Sequence, residues 1–271
     1  MNDRDQPSRQ RKARYARSLL LFAKPPVPGR VKTRLTRPGA EALSQPEEGA
    51  GSLPQADDTV PRPLTSYKAA KIYQAFLEDM AQRLVLEGEF ELRLSWALED
   101  GESPPVLRGA EGVLSVRQEG EDLGARLFSG LKDASRGNRC VIALGSDHPT
   151  LSVATLHVAF KRLEAGVPVV LGPAEDGGYY LIGLRPEAVR WQLFKDVPWS
   201  TSQVLKTTLA RCQQLGFGCQ RLPPASDVDT PEDLHRLAWA LAREKAAGRG
   251  LSCPRTTALL DSWGRLPEVT G

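Results

Sequence analysis

The stretch FAKPPVPGRVKTRL, Phe22 to Leu35, sets Lys24, Arg30, Lys32 and Arg34 among Pro25, Pro26, Pro28 and Gly29. Cations at fixed spacing can neutralise phosphates, and prolines limit the entropy a loop loses on wrapping a ligand. A solvated basic turn is the plain alternative. The loop is not a P-loop, because Arg30 and Val31 separate Gly29 from Lys32 and Thr33, whereas that motif needs glycine, lysine and Ser/Thr contiguous. Nor does G-x-G-x-x-G open the first strand–helix turn.

Three further stretches carry acids. VIALGSDHP ends an apolar run and presents Asp147 at its carboxyl edge, where open α/β sheets bind ligands. A carboxylate there, opposite phosphate-binding cations, suits hydrated Mg²⁺ or Mn²⁺, which takes one or two carboxylates and completes its shell with substrate phosphates. Asp147 capping the turn before Pro149 is the competing reading. In GPAEDGGYYLIGL, Glu175 and Asp176 precede Gly177, Gly178 and Tyr179. The glycines permit close backbone approach to a ligand, and Asp-Gly is equally a hairpin signal. In SDVDTPEDL, Asp227 and Asp229 share one face if the segment is extended, placing both on a metal or a ligand hydroxyl. Acids ahead of a helix also simply complement its dipole.

Strand-like runs at 18–23, 90–98, 113–118, 140–145, 167–172 and 179–184 must position these groups, in alternation with amphipathic stretches at 65–86, 123–134, 152–165, 202–215 and 231–247. RLPP, just before SDVDTPEDL, reads as one more short strand. The near-continuous apolar character of CVIALG and VPVVLG suits strands covered on both faces. Alternation of this kind predicts one α/β domain over 18–247, a mainly parallel sheet flanked by helices. Ser200 to Gln203 reads as a capping box, and Thr230-Pro231-Glu232-Asp233 as a cap, a first-turn proline and two acids. Residues 37–64, rich in Pro, Gly, Ala and Glu, read as a flexible insertion, and residues 1–17 as a disordered basic tail. The 248–271 extension reads as peripheral, with Leu259, Leu260 and Trp263 able to dock as a short helix.

The 271 residues are 41% hydrophobic and 25% charged, the composition of a soluble globular protein. A net charge of +3 is too mild to imply nucleic acid as a partner. No run is long enough to span a bilayer, and SLLLFA is too short for a secretory h-region, so a cytoplasmic location is expected. Cys140, Cys212, Cys219 and Cys253 form no C-x-x-C pair, and three scattered histidines suggest no zinc site.

Together these stretches resemble the glycosyltransferase-A-like (GT-A, nucleotide-diphospho-sugar transferase) superfamily, and within it the bacterial glycosyltransferase family also called selenodomain-associated transferase 1. Its pattern FAKxPxPGxxKTRL, QxGxDLGxRL, GxDxPxL, GPxxDGGYYLIGL, PWST and DVDTPEDL is matched in order between Phe22 and Leu234, so the resemblance covers roughly 18–240. His148 departs from it, standing where the family often has cysteine. The first loop is also similar to that of 2-phospho-lactate guanylyltransferase. The resemblance implies a single GT-A-like (Rossmann-like) domain in which Asp147 and Asp229 hold the catalytic metal. It further implies that Lys24, Lys32 and Arg34 contact nucleotide phosphates, with Gly29 and Arg30 in the same loop, and that Gln118 and Asp122 face the base or ribose.

Three functions follow as expectations. The first is metal-dependent glycosyl transfer from a nucleotide sugar to a small-molecule acceptor. Asp176 is then the base or sugar ligand, and Glu175, Gly177, Gly178 and Tyr179 shape the sugar pocket. The second is nucleotidyl transfer from a nucleoside triphosphate to a phosphorylated acceptor. The third is a binding module for nucleotides or RNA without turnover, which would gain nothing from carboxylates clustered near phosphate.

Overall fold

A computed structural model describes residues 16–36, 62–248 and 250–269. Residues 1–15 of the expected basic tail and 37–61 of the expected insertion lie outside the described residues, but Arg17 already opens the first strand, and Leu64, expected in the flexible insertion, is buried in the core and bridges to Thr36.

β1 (Arg17–Ala23) is the strand from which the sheet grows both ways. It pairs in parallel with β2 (Glu91–Trp96) on one side and β4 (Cys140–Gly145) on the other. β3 (Leu114–Arg117), β5 (Val169–Pro173), β6 (Tyr179–Leu184) and β7 (Cys219–Arg221) complete the order β3-β2-β1-β4-β6-β5-β7. Only β6 runs antiparallel to its neighbours, joined to β5 by the Asp-Gly turn. The chain leaves β1 toward β2 but arrives at β4 on β1's other flank. The carboxyl ends of β1 and β4 therefore bound a crevice at a topological switch point.

Six α-helices occur among the described residues: α1 (Ser66–Glu87), α2 (Leu123–Ala134), α3 (Val153–Glu164), α4 (Val204–Gln214), α5 (Pro231–Ala246) and α6 (Pro254–Ser262). β1 shows why both sheet faces need covering. Leu19 and Leu21 pack into one core with Ile72 and Phe76 of α1 and Phe160 of α3, while Leu20 enters the other with Leu127 and Leu131 of α2. That is the two-residue period of a strand buried on both faces.

The expected elements form with boundaries shifted by one or two residues, apart from two local departures. No capping box forms at Ser200 to Gln203: Ser200 is left-handed (φ 63°), the Thr201 hydroxyl donates to the Pro198 carbonyl, and α4 begins at Val204. The last strand is Cys219–Arg221, ending where RLPP begins, because the prolines after Leu222 have no N–H with which to extend a ladder. α6 docks on α1 with Leu260 fully buried in the main core. Among the described residues no helix is long and apolar enough to cross a membrane.

Candidate functional site

The loop after β1 is shaped by two buried anchors. Val31 and Leu35 enter the core, and Gly29 (φ 78°) supplies the left-handed turn before them. Lys32 lies between the anchors and is itself left-handed, at φ 49° and ψ 38°, where it opens a 3-10 helix over Thr33–Leu35. A non-glycine residue there costs roughly 1–3 kcal/mol unless its surroundings hold it. Here the surroundings hold it by its ammonium. Lys32 Nζ lies 2.5 Å from Asp147 Oδ1 and 2.9 Å from Asp229 Oδ1, with its side chain only 3% exposed. Burial alone would lower the lysine pKa, but the two carboxylates outweigh it and hold the ammonium above its ordinary value.

Asp147 follows β4. The Val228 N–H donates to the Asp147 carbonyl at 3.0 Å, which draws the chain before α5 against the end of β4 and brings Asp229 to Asp147. Asp229 is fixed from the other side by a capping box, where the sequence predicts only a cap with dipole-complementing acids. Thr230 Oγ1 accepts from the Asp233 N–H, and the Asp233 carboxylate accepts from the N–H groups of Thr230 (2.7 Å) and Asp229 (3.0 Å). Asp233 thus does more than complement a helix dipole. Burial would raise the Asp229 pKa, yet Lys32, and Arg34 at 3.4 Å, hold it below the usual carboxylate range. Tyr73 of α1 completes the floor. Its ring lies under Lys32 Nζ at 5.8 Å, and its hydroxyl shares a hydrogen bond with Ser146 and accepts from the Lys24 N–H.

These groups line one cleft of about 550 Å³ at the switch point, within the usual range for small-ligand sites. Lys24, Arg30, Lys32, Arg34, Gln118, Asp147, Tyr179 and Asp229 are among its lining, as are Tyr73, Arg126, Ser146 and Ser200. Lys24 is exposed, whereas Arg30 is held by Glu99 and Glu102. The Gln118 amide donates to the Ser95 carbonyl at 2.8 Å and so ties strand ends at the cleft edge.

Other candidates stand elsewhere. Gly29, Asp122, Glu175, Asp176, Gly177 and Gly178 are outside the cleft lining. Asp122 caps α2 through the Ala125 N–H. Asp176 Oδ1 accepts from the Gly178 N–H within the β5–β6 turn. Gly177 (φ 90°) lies where a Cβ would strike the Ser202 backbone, so its glycine is required by packing of the PWST loop on the turn. The Tyr179 hydroxyl is buried without a hydrogen-bond partner. Sequence reasoning passed over Arg126, although it sits inside the QEGEDLGARL stretch, and Tyr73, which reads as an ordinary helix core residue.

Asp147 and Asp229 fit a divalent metal, since their hard oxygen donors already converge on one cation, the Lys32 ammonium. Among the described residues the one group with three ligand atoms close together is Glu87, Glu89 and His157. It lies beside Arg17, at the far end of β1 from the cleft, and Arg17 pairs with Glu89 and Glu164 there.

Asp227 stands beside Asp229, with its carboxyl pushed up to about 6 by burial, by Asp229 and, less, by Asp176. A folded-state pKa above the unfolded value means the native state binds the extra proton. Stability from this group is therefore present at acid pH and lost as pH rises through about 6. Asp227→Asn is expected to leave Tm unchanged near pH ~4 and to raise it by one to a few degrees above pH ~7, the effect being small because the side chain is partly solvated. Melting curves across that range, with EDTA present, check it; a gap independent of pH contradicts it.

Residues 76–201 match the model of a family described as "Uncharacterized protein conserved in bacteria (DUF2064)". A phosphoenolpyruvate guanylyltransferase of Rubrobacter xylanophilus is 32% identical over 139 residues, covering 49% of this chain and 66% of that protein. The match thus spans just under two thirds of the relative's length. The crystal structure of a Desulfovibrio desulfuricans G20 protein, assigned by name to the nucleotide-diphospho-sugar transferases, superposes with a TM-score of 0.73 at 27% identity, covering 93% of this chain and 96% of that one. Residues 76–201 thus match the DUF2064 family model, and the chain that carries them has the nucleotide-diphospho-sugar transferase fold.

Proposed function

We propose that this protein is a nucleotidyltransferase that moves a nucleoside monophosphate from a triphosphate to a phosphorylated small molecule. One observation carries the reading. Five cationic side chains, Lys24, Arg30, Lys32, Arg34 and Arg126, share a cleft with the convergent pair Asp147 and Asp229. Transfer at phosphorus demands positioning and charge neutralisation more than a strong base. Asp147 and Asp229 would hold Mg²⁺ or Mn²⁺, which when bound neutralises charge at the phosphates. Lys24 and Arg34, exposed at the rim, take the outer phosphates, while Lys32 approaches from within and the half-buried Arg126 flanks them. An acceptor phosphate is already anionic, so no side chain has to remove a proton from it. The relative named for guanylyl transfer to phosphoenolpyruvate supports an acceptor of this kind.

Glycosyl transfer is the second reading, favoured by the name of the Desulfovibrio neighbour. It casts Asp176 as base or sugar ligand, with Glu175, Gly177, Gly178 and Tyr179 around the sugar. Three of those five residues, Asp176, Gly177 and Gly178, are engaged in the β5–β6 turn and its packing, which weakens this reading relative to the first. Product analysis separates the two. Nucleotidyl transfer releases pyrophosphate from a triphosphate when a panel of phosphorylated acceptors is supplied; release of nucleoside diphosphate or monophosphate from a sugar nucleotide, without pyrophosphate from any triphosphate, would overturn it.

A further inference from the structure

We propose that Lys32 is an internal cation that closes the Asp147–Asp229 metal site until a nucleotide phosphate draws it away, so that metal and nucleotide bind cooperatively. The inference rests on the proposed metal role of those two carboxylates and adds the order in which the site fills.

Lys32 Nζ is within 2.9 Å of an oxygen of each acid and is almost wholly shielded from water. A divalent ion bound by the same two oxygens would lie within a few ångströms of the ammonium, and two cations cannot share that space without strong repulsion. Entry of metal therefore requires Lys32 to leave, and a buried lysine leaves only for another anion. The cleft offers such an anion Lys24, Arg34 and Arg126, which line it together with Lys32. A phosphate bound there takes Lys32 over and frees both carboxylates, which makes each ligand favour the other by the same factor. The left-handed backbone of Lys32 fits this role, since a residue held in a costly conformation by its side-chain contacts can move when those contacts are exchanged.

The test is Mn²⁺ binding to the full chain without nucleotide, followed by the EPR signal of free Mn²⁺. Lys32→Met, and Lys32→Gly, which suits the left-handed backbone, are expected to bind Mn²⁺ about tenfold more tightly than wild type, a typical coupling between sites. Arg34→Met, which removes a nearby but exposed charge, is expected to gain no more than about threefold. Inorganic sulfate, as a phosphate stand-in, is expected to tighten Mn²⁺ binding to wild type relative to chloride at equal ionic strength, and to leave Lys32→Gly unchanged. Lys32 variants no tighter than wild type, an equal gain for Arg34→Met, or no effect of sulfate on wild type would each overturn the lock. Adding Asp147→Asn to Lys32→Gly separates the two levels. Loss of the tight Mn²⁺ keeps the carboxylates as ligands whatever becomes of the lock, whereas unchanged Mn²⁺ affinity would sink the metal assignment itself.

Discussion

Asp147→Asn is expected to abolish metal-dependent nucleotide binding and to lower turnover by about a thousandfold or more. The magnitude follows from the role. Charge neutralisation by a bound metal contributes several kcal/mol to a phosphoryl-type transition state, and each ~1.36 kcal/mol is about a factor of ten in rate. The change keeps size and shape and leaves the Asp147 carbonyl free to accept from Val228, so the segment before α5 stays in place. The side chain is about half exposed, and Asp229 still pairs with Lys32, so the fold is expected to survive the loss of this charge. Asp229→Asn is expected to behave alike, with an added loss from Lys32 and Arg34. Isothermal titration of a nucleoside triphosphate with Mn²⁺ and with EDTA reads the effect directly; wild-type metal-dependent affinity in Asp147→Asn would remove this residue from the site.

Asp79→Ala is expected to lower stability by about 3–5 kcal/mol, the usual cost of breaking a buried charged network, and Tm by on the order of 10 °C. Cys253 precedes α6 but gives it no side-chain cap, and the missing acceptor comes from α1 instead. The Asp79 carboxylate accepts from the N–H groups of Arg255 (3.0 Å) and Thr256 (2.9 Å) while fully shielded from solvent. Its neighbour Glu78, equally buried, pairs with Arg108 and Arg255. Alanine would leave two buried donors unsatisfied and the Arg255 charge partly unpaired, so α6 would lose its hold on α1. Calorimetry gives the loss; a variant melting within a degree or two of wild type would show that α6 docks through apolar contact alone.

The fold was legible because each strand and helix carries its own period. CVIALG and VPVVLG read as doubly covered strands and stand at β4 and β5 between helical layers. The short β7 was placed too late in the chain because Gln220 and Arg221 are exposed and three residues cannot show alternation. Ser200 to Gln203 has the letters of a capping box, but the left-handed Ser200 turns the chain first, and no propensity reveals that. Within the site, the aspartates and the cationic loop could be picked out by type and position. That Lys32 would bridge Asp147 and Asp229 could not, since it depends on one left-handed residue and on the backbone bond from Val228 to Asp147. The glycine pair of DGGYY reads both for a ligand and as an Asp-Gly hairpin, and the hairpin forms, with Gly177 against the Ser202 backbone and Gly178 held by Asp176.

The most direct measurement is thermal stability of the wild-type chain with nucleoside triphosphates and with sugar nucleotides, each with Mn²⁺ and with EDTA. A ligand at about 100 times its Kd adds roughly 2.7 kcal/mol, a shift well above the noise of a melting curve. Stabilisation by a triphosphate that needs Mn²⁺ and disappears in Asp147→Asn is the predicted result. Stabilisation confined to sugar nucleotides would contradict nucleotidyl transfer, and no metal-dependent response to any nucleotide would contradict the site itself.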